Sequence, residues 1–128
     1  MLIIKPIQTK EEQKKICGMC GVEFDECAMA YAAREDEDII GITQFRILGK
    51  HGIIYDLANT DGVDDLEALI IMGRATLNFI DLCGTRDVII KTENKNLPKI
   101  LGFEKDADGV YKINLEGYFD SPCMSGKE

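Results

Sequence analysis

The sequence predicts an α/β fold, α+β by a stricter definition, in which helices flank a mixed, mostly antiparallel sheet. Two apolar runs joined by a short glycine-containing turn predict an antiparallel hairpin over residues 39–58. A long apolar helix then separates that hairpin from another strand, and a helix between two strands implies a parallel pair. Because the chain has 128 residues, 45% of them hydrophobic, we expect a single domain over residues 1–128.

The first part of the chain predicts an edge strand, a capped helix and a second strand. Residues 1–7 are β-branched and apolar with Pro6 near their end, which is typical of an edge strand. Thr9 and Glu12 form a capping-box pattern, so a helix should begin there. The run 27–33 predicts the second strand.

The part that follows the hairpin predicts a long helix, a strand and a closing hairpin. Over residues 64–83 apolar side chains recur at helical spacing on one broad side, and Gly84 lies where a left-handed C-terminal residue belongs. Residues 86–92 predict a central strand, and residues 96–101 one short helical turn. A second hairpin is predicted over residues 103–115.

Composition and charge disfavour several classes of function. The net charge of −8 opposes binding to nucleic acid and to anionic membrane surfaces. No run approaches the roughly 20 apolar residues of a membrane span, and the first residues lack the pattern of a signal peptide. Five cysteines, an odd number, argue against a disulfide framework. We therefore expect a cytoplasmic protein that has no nucleic-acid or membrane partner.

Residues 55–67, the long helix, the next strand and the Leu101-Gly102-Phe103 triplet follow one another in an order that resembles a known family. It is similar to the GCN5-related N-acetyltransferase (GNAT) family over residues 27–115. The resemblance implies an enzyme that transfers an acetyl or acyl group from acetyl-CoA, or a related thioester, to a small-molecule amine or a peptide. It also implies a donor site between two splayed strands, the second being the fourth strand. A wedge opening between the strands around Gln44 and Leu57 would favour the enzyme, whereas a closely paired couple of strands there would not.

The same resemblance implies roles for particular residues. The end of the fourth strand and the following loop should meet the cofactor, which makes Leu57, Asn59, Gly62 and Val63 candidate cofactor-binding residues. Asn94 and Asn96 follow the next strand, where the family commonly has an asparagine that bonds the pantetheine arm; turn residues have the same composition.

The catalytic candidates are Asp56 and Tyr111. Asp56 lies where the family can place a general base, and alternation along the strand predicts that it faces opposite to Tyr55 and Leu57. Pro98 occupies the usual place of the family's proton-donating tyrosine, so Tyr111 is the candidate substitute. A solvated strand acid and a half-buried strand tyrosine are the corresponding structural interpretations.

The start of the long helix favours a second hypothesis. The six positions from Asp64 to Leu69, which should cradle the pyrophosphate, contain three acids and no glycine. Acids stabilise a helix start through the helix dipole and repel a phosphate. The alternative is therefore a non-catalytic sensor or interaction module that has lost acetyl-CoA binding.

Cys17 and Cys20 form a Cys-x-x-Cys pair that could indicate zinc or redox chemistry. Zinc would need further ligands, such as Cys123, brought together by folding, whereas a redox pair normally begins a helix rather than ending one. We expect buried small residues and no metal. The late hairpin and the Tyr118-Phe119 segment are where we would expect a homodimer to form.

Overall fold

The computed structural model describes residues 1–119, which form one seven-stranded sheet and three helices. The elements, numbered in chain order, are β1 (Leu2–Pro6), α1 (Lys10–Met19), β2 (Met29–Glu35), β3 (Asp38–Leu48), β4 (His51–Asn59), α2 (Leu66–Leu82), β5 (Asp87–Ile90), α3 (Leu97–Leu101), β6 (Glu104–Lys105) and β7 (Tyr111–Asn114). Cys123, the possible extra zinc ligand, lies outside the described residues.

The strands lie in the order β1-β2-β3-β4-β5-β7-β6. Neighbouring strands are antiparallel except for β4 and β5, which are parallel and are connected by α2. The prediction of a mixed, mostly antiparallel sheet is confirmed. The parallel pair lies near the centre of the sheet, and α2 supplies the crossover that parallel strands need.

Both faces of the sheet carry a buried core. On one face, α2 and α3 cover a cluster that includes Phe45, Ile54, Leu57, Met72, Leu77 and Ile80. On the other face, α1 covers a smaller cluster of Ile16, Cys17, Cys20, Ala30, Ala32 and Ile42. Small side chains on β2 let α1 lie close to the sheet, and this places the end of α1 beside β4.

The helix caps agree with the sequence pattern. Thr9 caps α1, with its Oγ1 accepting a hydrogen bond from Glu12 N–H (3.1 Å). The α2 helix begins at Leu66 after the cap residue Asp65 and ends at Leu82. No helix within residues 1–119 combines the length and the apolar character needed to cross a membrane.

Candidate functional site

A large cavity lies where β4 and β5 separate. The two strands are paired from His51 and Asp87 to Ile54 and Ile90, and Lys91 N–H still donates to Ile54 O (2.9 Å). Beyond that point the chains diverge and leave a cavity of about 610 Å³. Its walls are residues 20–23 after α1, residues 55–58 of β4 and residues 91–94 after β5, with Leu69 of α2 between them. We call this cavity the cleft.

The expected opening around Gln44 and Leu57, on the β3 side of β4, is wrong. β3 and β4 pair along their length, from Gly41 opposite Asn59 to Leu48 opposite His51. Strands joined by a tight hairpin turn are held together at one end by the turn, whereas parallel strands joined by a helix are free to separate after their last shared hydrogen bond. The cleft therefore opens on the β5 side of β4, and Leu57 lines it from there.

A β-bulge at Tyr55 interrupts the alternation of side chains that the sequence predicted along β4. Gln44 pairs with Asp56 and Phe45 with Ile54, so Tyr55 is the additional residue. The Tyr55 ring lies 5.6 Å from Arg46 Cζ, and Asp56 is hydrogen-bonded to Gln44. Gln44 and Arg46 are two residues apart and share the α1 face of β3. Tyr55 and Asp56 therefore both have partners on that face, while Leu57 lies in the opposite core as predicted.

Asp56 lies inside the cleft and is held by a short hydrogen bond. Gln44 Nε2 donates to Asp56 Oδ2 at 2.7 Å. Burial raises the pKa of the Asp56 carboxyl, repulsion from Asp25 and Glu23 adds to that effect, and the bond from Gln44 opposes it. A carboxylate whose pKa is raised in this way accepts a proton more readily than an exposed aspartate.

Gln44 belongs to the candidate site, and the sequence interpretation did not include it among the site residues. It is fully buried, and its Nε2 also donates to Glu23 O (2.8 Å). Its Oε1 accepts from Asp25 N–H (3.0 Å) and from Gln13 Nε2 (2.8 Å). A backbone N–H group can only donate, so Asp25 fixes which end of the amide faces Asp56. The available signal was a glutamine in the middle of an apolar strand.

The loop after α1 forms one wall of the cleft and is fastened to β3. Arg46 donates twice to Asp25, from Nε (3.0 Å) and from Nη2 (2.7 Å). The Arg46 guanidinium holds the pKa of the Asp25 carboxyl below its usual range. From α1, Lys10 Nζ donates to Gln13 Oε1 (3.1 Å), so a chain of polar groups runs from α1 to the cleft.

Of the loop residues predicted to bind the cofactor, Asn59 and Val63 have hydrogen-bond partners within the chain, and Gly62 lies in the turn between them. Asn59 Nδ2 donates to Ile40 O and to Asp65 O (3.2 Å each), and Asn59 Oδ1 accepts from Asp65 N–H (3.1 Å). Val63 N–H donates to Thr60 O (2.9 Å), and Gly62 has a left-handed φ of 85° in the same turn. Asn59, Gly62 and Val63 are not among the residues that line the cleft.

The start of α2 is capped by its own acid. Asp65 Oδ1 accepts a hydrogen bond from Ala68 N–H (3.0 Å), as expected for an acidic N-cap. Asp64 and Glu67, on either side, are exposed to solvent. The position where helix N–H groups would meet a phosphate is therefore surrounded by carboxylates.

Of the remaining predicted site residues, only Asn94 reaches the cleft. Asn94 Oδ1 accepts from Asn96 N–H (3.0 Å) and Leu97 N–H (3.2 Å), which stabilises the start of α3. Asn96 is exposed and does not line the cleft. Tyr111 lies on β7 opposite Ile90, outside the cleft lining. The structure thus brings together Asp56, Leu57 and Asn94.

The two cysteines of the Cys-x-x-Cys pair are buried in the α1 core. Cys17 is 1% exposed and Cys20 is 6% exposed. Burial, followed by the nearby Asp56 and Cys20, raises the pKa of the Cys17 thiol to about 11, and burial raises the pKa of Cys20 as well. Both thiols are protonated at neutral pH, and thiols bind metals or attack disulfides as thiolates. No metal-binding group of three or more His, Cys, Asp or Glu side chains occurs among residues 1–119.

Comparison with known proteins identifies the fold. No protein-family model and no curated protein matches the chain. Among solved structures, spermidine/spermine N-acetyltransferase SpeG from Vibrio cholerae superposes with a TM-score of 0.72 at 8% identity, covering 94% of this chain and 98% of that one. The PaiA N-acetyltransferase from Thermoplasma acidophilum, solved with coenzyme A, gives 0.68 at 9% identity, covering 89% and 99%.

The ribosomal-protein-S18-alanine N-acetyltransferase from Escherichia coli is also similar, with a TM-score of 0.65 at 11% identity over 88% of this chain and 90% of that one. Identities this low show the fold and not the reaction. The protein has the GNAT fold, the acyl-CoA N-acyltransferase architecture, as the order of elements predicted.

Proposed function

We propose that this protein is an N-acetyltransferase that transfers an acetyl or acyl group from acetyl-CoA, or a related thioester, to an amine. The observation that carries the proposal is Asp56, held by buried Gln44 inside the cleft between the diverging β4 and β5. In the GNAT-fold protein from Thermoplasma acidophilum the bound molecule is coenzyme A. The acyltransferase reading therefore combines a shared fold with a site that contains a suitable base.

The cleft suits a long, thin thioester. Its volume is about 610 Å³, and its walls include residues 55–58 of β4, which extend beyond the paired part of β4 and β5. An unpaired strand edge offers N–H and C=O groups to the amides of an extended ligand, as it would to a peptide strand. We assign the pantetheine arm to this edge, with Asn94 on the opposite wall. The thioester supplies an activated carbonyl carbon and a sulfur leaving group.

The charge of the cleft suits a cationic acceptor. Glu23, Asp56 and Glu93 line it, together with Lys91. An amine is protonated at neutral pH, so this acidic lining attracts it and orients it towards Asp56. The acceptor is accordingly a small-molecule amine or an amino group of a peptide, the two acceptor classes that the sequence analysis predicted.

Asp56 has a defined task in this reaction. It removes one proton from the bound ammonium group, which frees the nitrogen lone pair. The nitrogen then forms a bond to the thioester carbonyl carbon, and the carbon–sulfur bond breaks with its electron pair leaving on sulfur. The sulfur takes up one proton and the amide nitrogen loses another, giving an amide and a free thiol. Tyr111 stays a prediction for the donor of the sulfur proton, and an unchanged kcat in Tyr111→Phe would contradict that role.

Release of free thiol from acetyl-CoA tests the proposal directly. Spermidine, a lysine-containing peptide and a peptide with a free N-terminal alanine are suitable acceptors. We expect amine-dependent release with at least one of them, and a loss of about 10²-fold or more in kcat for Asp56→Asn, since general-base catalysis contributes on that order. Asp108→Asn, on the exposed β6–β7 turn, is the matched control and should keep full activity. Absence of amine-dependent release, or full activity in Asp56→Asn, would refute the assignment.

A further inference from the structure

We infer that this protein recognises its acyl donor through the pantetheine arm and the acyl group, and that the nucleotide half of CoA adds no affinity. The inference rests on the proposed function and specifies its donor. It follows from two features of the chain: the hydrogen bonds at the start of α2, and the charges around that helix start and along the cleft.

Two of the four N–H groups that a helix start leaves unpaired, those of Asp65 and Ala68, are already bonded within the chain at the start of α2. A helix start binds phosphate because its first N–H groups lack partners. Here Ala68 N–H donates to Asp65 Oδ1 (3.0 Å), and Leu69 N–H donates to Asp65 O (3.4 Å). Asp65 N–H donates to Asn59 Oδ1 (3.1 Å). A phosphate that bound the Ala68 N–H would have to displace the Asp65 carboxylate.

Asn59 hydrogen-bonds both the N–H and the C=O group of Asp65. Asn59 Nδ2 donates to Asp65 O and also to Ile40 O on β3 (3.2 Å each). Moving Asp65 away would break the Asn59 bridge between β3 and the start of α2. The residues from Asp64 to Leu69 also contain no glycine, so the backbone has little freedom to rearrange around a phosphate.

The charge around the helix start opposes a phosphate as well. Asp61, Asp64 and Glu67 are exposed beside the Asp65 cap. Within the described residues, Lys91 is the basic side chain that lines the cleft. The acids Glu23, Asp56 and Glu93 line the same cleft. Like charges repel one another, so these carboxylates disfavour a phosphate at the helix start. The pantetheine arm carries no charge and meets no such repulsion.

Titration of the ¹⁵N-labelled full-length protein with three separate probes tests the inference. The probes are CoA, pantetheine, and phosphoadenosine diphosphate, which is the nucleotide half of CoA. We expect CoA and pantetheine to bind with Kd values within about threefold of each other, which corresponds to well under 1.4 kcal/mol. Both should shift the amide signals of residues 55–58 and 91–94. The nucleotide should cause no saturable shift.

A variant without the charges at the start of α2 tests whether those charges exclude the nucleotide. Asp64→Asn/Asp65→Ser/Glu67→Gln removes three charges at the helix start and leaves a serine to cap it. We expect it to gain a preference of about tenfold for CoA over pantetheine. The control Glu37→Gln/Glu104→Gln/Asp108→Asn removes three exposed charges elsewhere and should gain none. An equal gain in both variants would overturn the inference, because net charge rather than the helix start would then govern binding.

The outcomes separate the inference from the proposed function. If the wild type binds CoA more than about tenfold tighter than pantetheine, or binds the nucleotide saturably, the inference is wrong and the acyltransferase proposal stands. If neither CoA nor pantetheine binds, the proposed function fails and the inference fails with it.

Discussion

Asp56, the proposed general base, carries a cost in stability. Its pKa in the folded state is raised, chiefly by burial, so the folded protein holds the Asp56 proton more tightly than the unfolded chain does. The free energy of unfolding therefore falls as the pH rises from the ordinary aspartate pKa through the raised one. At neutral pH the Asp56 charge destabilises the fold. A residue kept for its chemistry commonly shows this trade-off.

Asp56→Asn should consequently raise the melting temperature at pH 7. The asparagine removes the charge and keeps an oxygen that accepts the hydrogen bond from Gln44. The gain should shrink as the pH is lowered towards 3.8, the ordinary aspartate value, because the folded wild type then holds the proton and the unfolded chain increasingly binds it too. Thermal denaturation from pH 4 to pH 8 measures both effects, with Asp108→Asn as an exposed control. A variant less stable than the wild type at pH 7 would contradict this reading.

The candidate site could be predicted from the sequence only in part. The family resemblance named Asp56 on the fourth strand and Asn94 after the fifth, and both line the cleft. The role of Gln44 depends on Gln13 and Asp25, which lie on other elements, so no local pattern reveals it. The bulge at Tyr55 likewise depends on how β3 pairs with β4, and a one-residue insertion of this kind reverses the side-chain alternation beyond it.

At the scale of elements, Gly41 sets how closely β3 and β4 approach. A Cβ atom at this position would lie 2.9 Å from Ala58 O on the neighbouring strand and 3.3 Å from Met72 Cε on α2. Ala58 also lines the cleft, so the close approach of Gly41 to Ala58 sets the position of the β4 wall of the cleft. Glycine in the interior of a strand often marks such a close backbone approach.

Gly41→Ala should destabilise the protein by about 1–3 kcal/mol, the usual cost of overfilling a packed site. Gly18→Ala is the matched control because nothing lies within 4 Å of a Cβ atom there. As alanine is the better helix former, Gly18→Ala should be neutral or stabilising by up to about 1 kcal/mol. Chemical denaturation of both variants measures the difference. Equal stability of the two variants would show that Gly41 is not needed for close strand packing.

Elements with a strong local pattern were predicted well. The β3–β4 hairpin and the α2 helix follow from turn residues and from apolar periodicity, and the structure has both. β5 was expected over residues 86–92 but ends at Ile90, since the chain leaves the sheet to form the cleft wall. Where two strands separate is a tertiary property, which explains why the opening was placed on the wrong side of β4.

At the scale of the whole molecule, the seven-stranded sheet positions the proposed base, an unpaired strand edge and an acidic lining around one cleft. The order of elements predicted the fold, and the structural comparisons confirm that prediction. The homodimer stays a prediction. Within the late region, Tyr118 Oη donates to Leu101 O (2.6 Å), and the Phe119 side chain is 40% exposed.

Thermal melting in the presence of acetyl-CoA tests most directly whether this fold is an acyltransferase. A ligand that binds the folded state should raise the melting temperature with the logarithm of its concentration. At a hundred times its Kd the gain is about 2.7 kcal/mol, or roughly 5–15 °C for a chain of this size. We predict that rise. A melting temperature unchanged up to millimolar acetyl-CoA would contradict the account and favour a non-catalytic module.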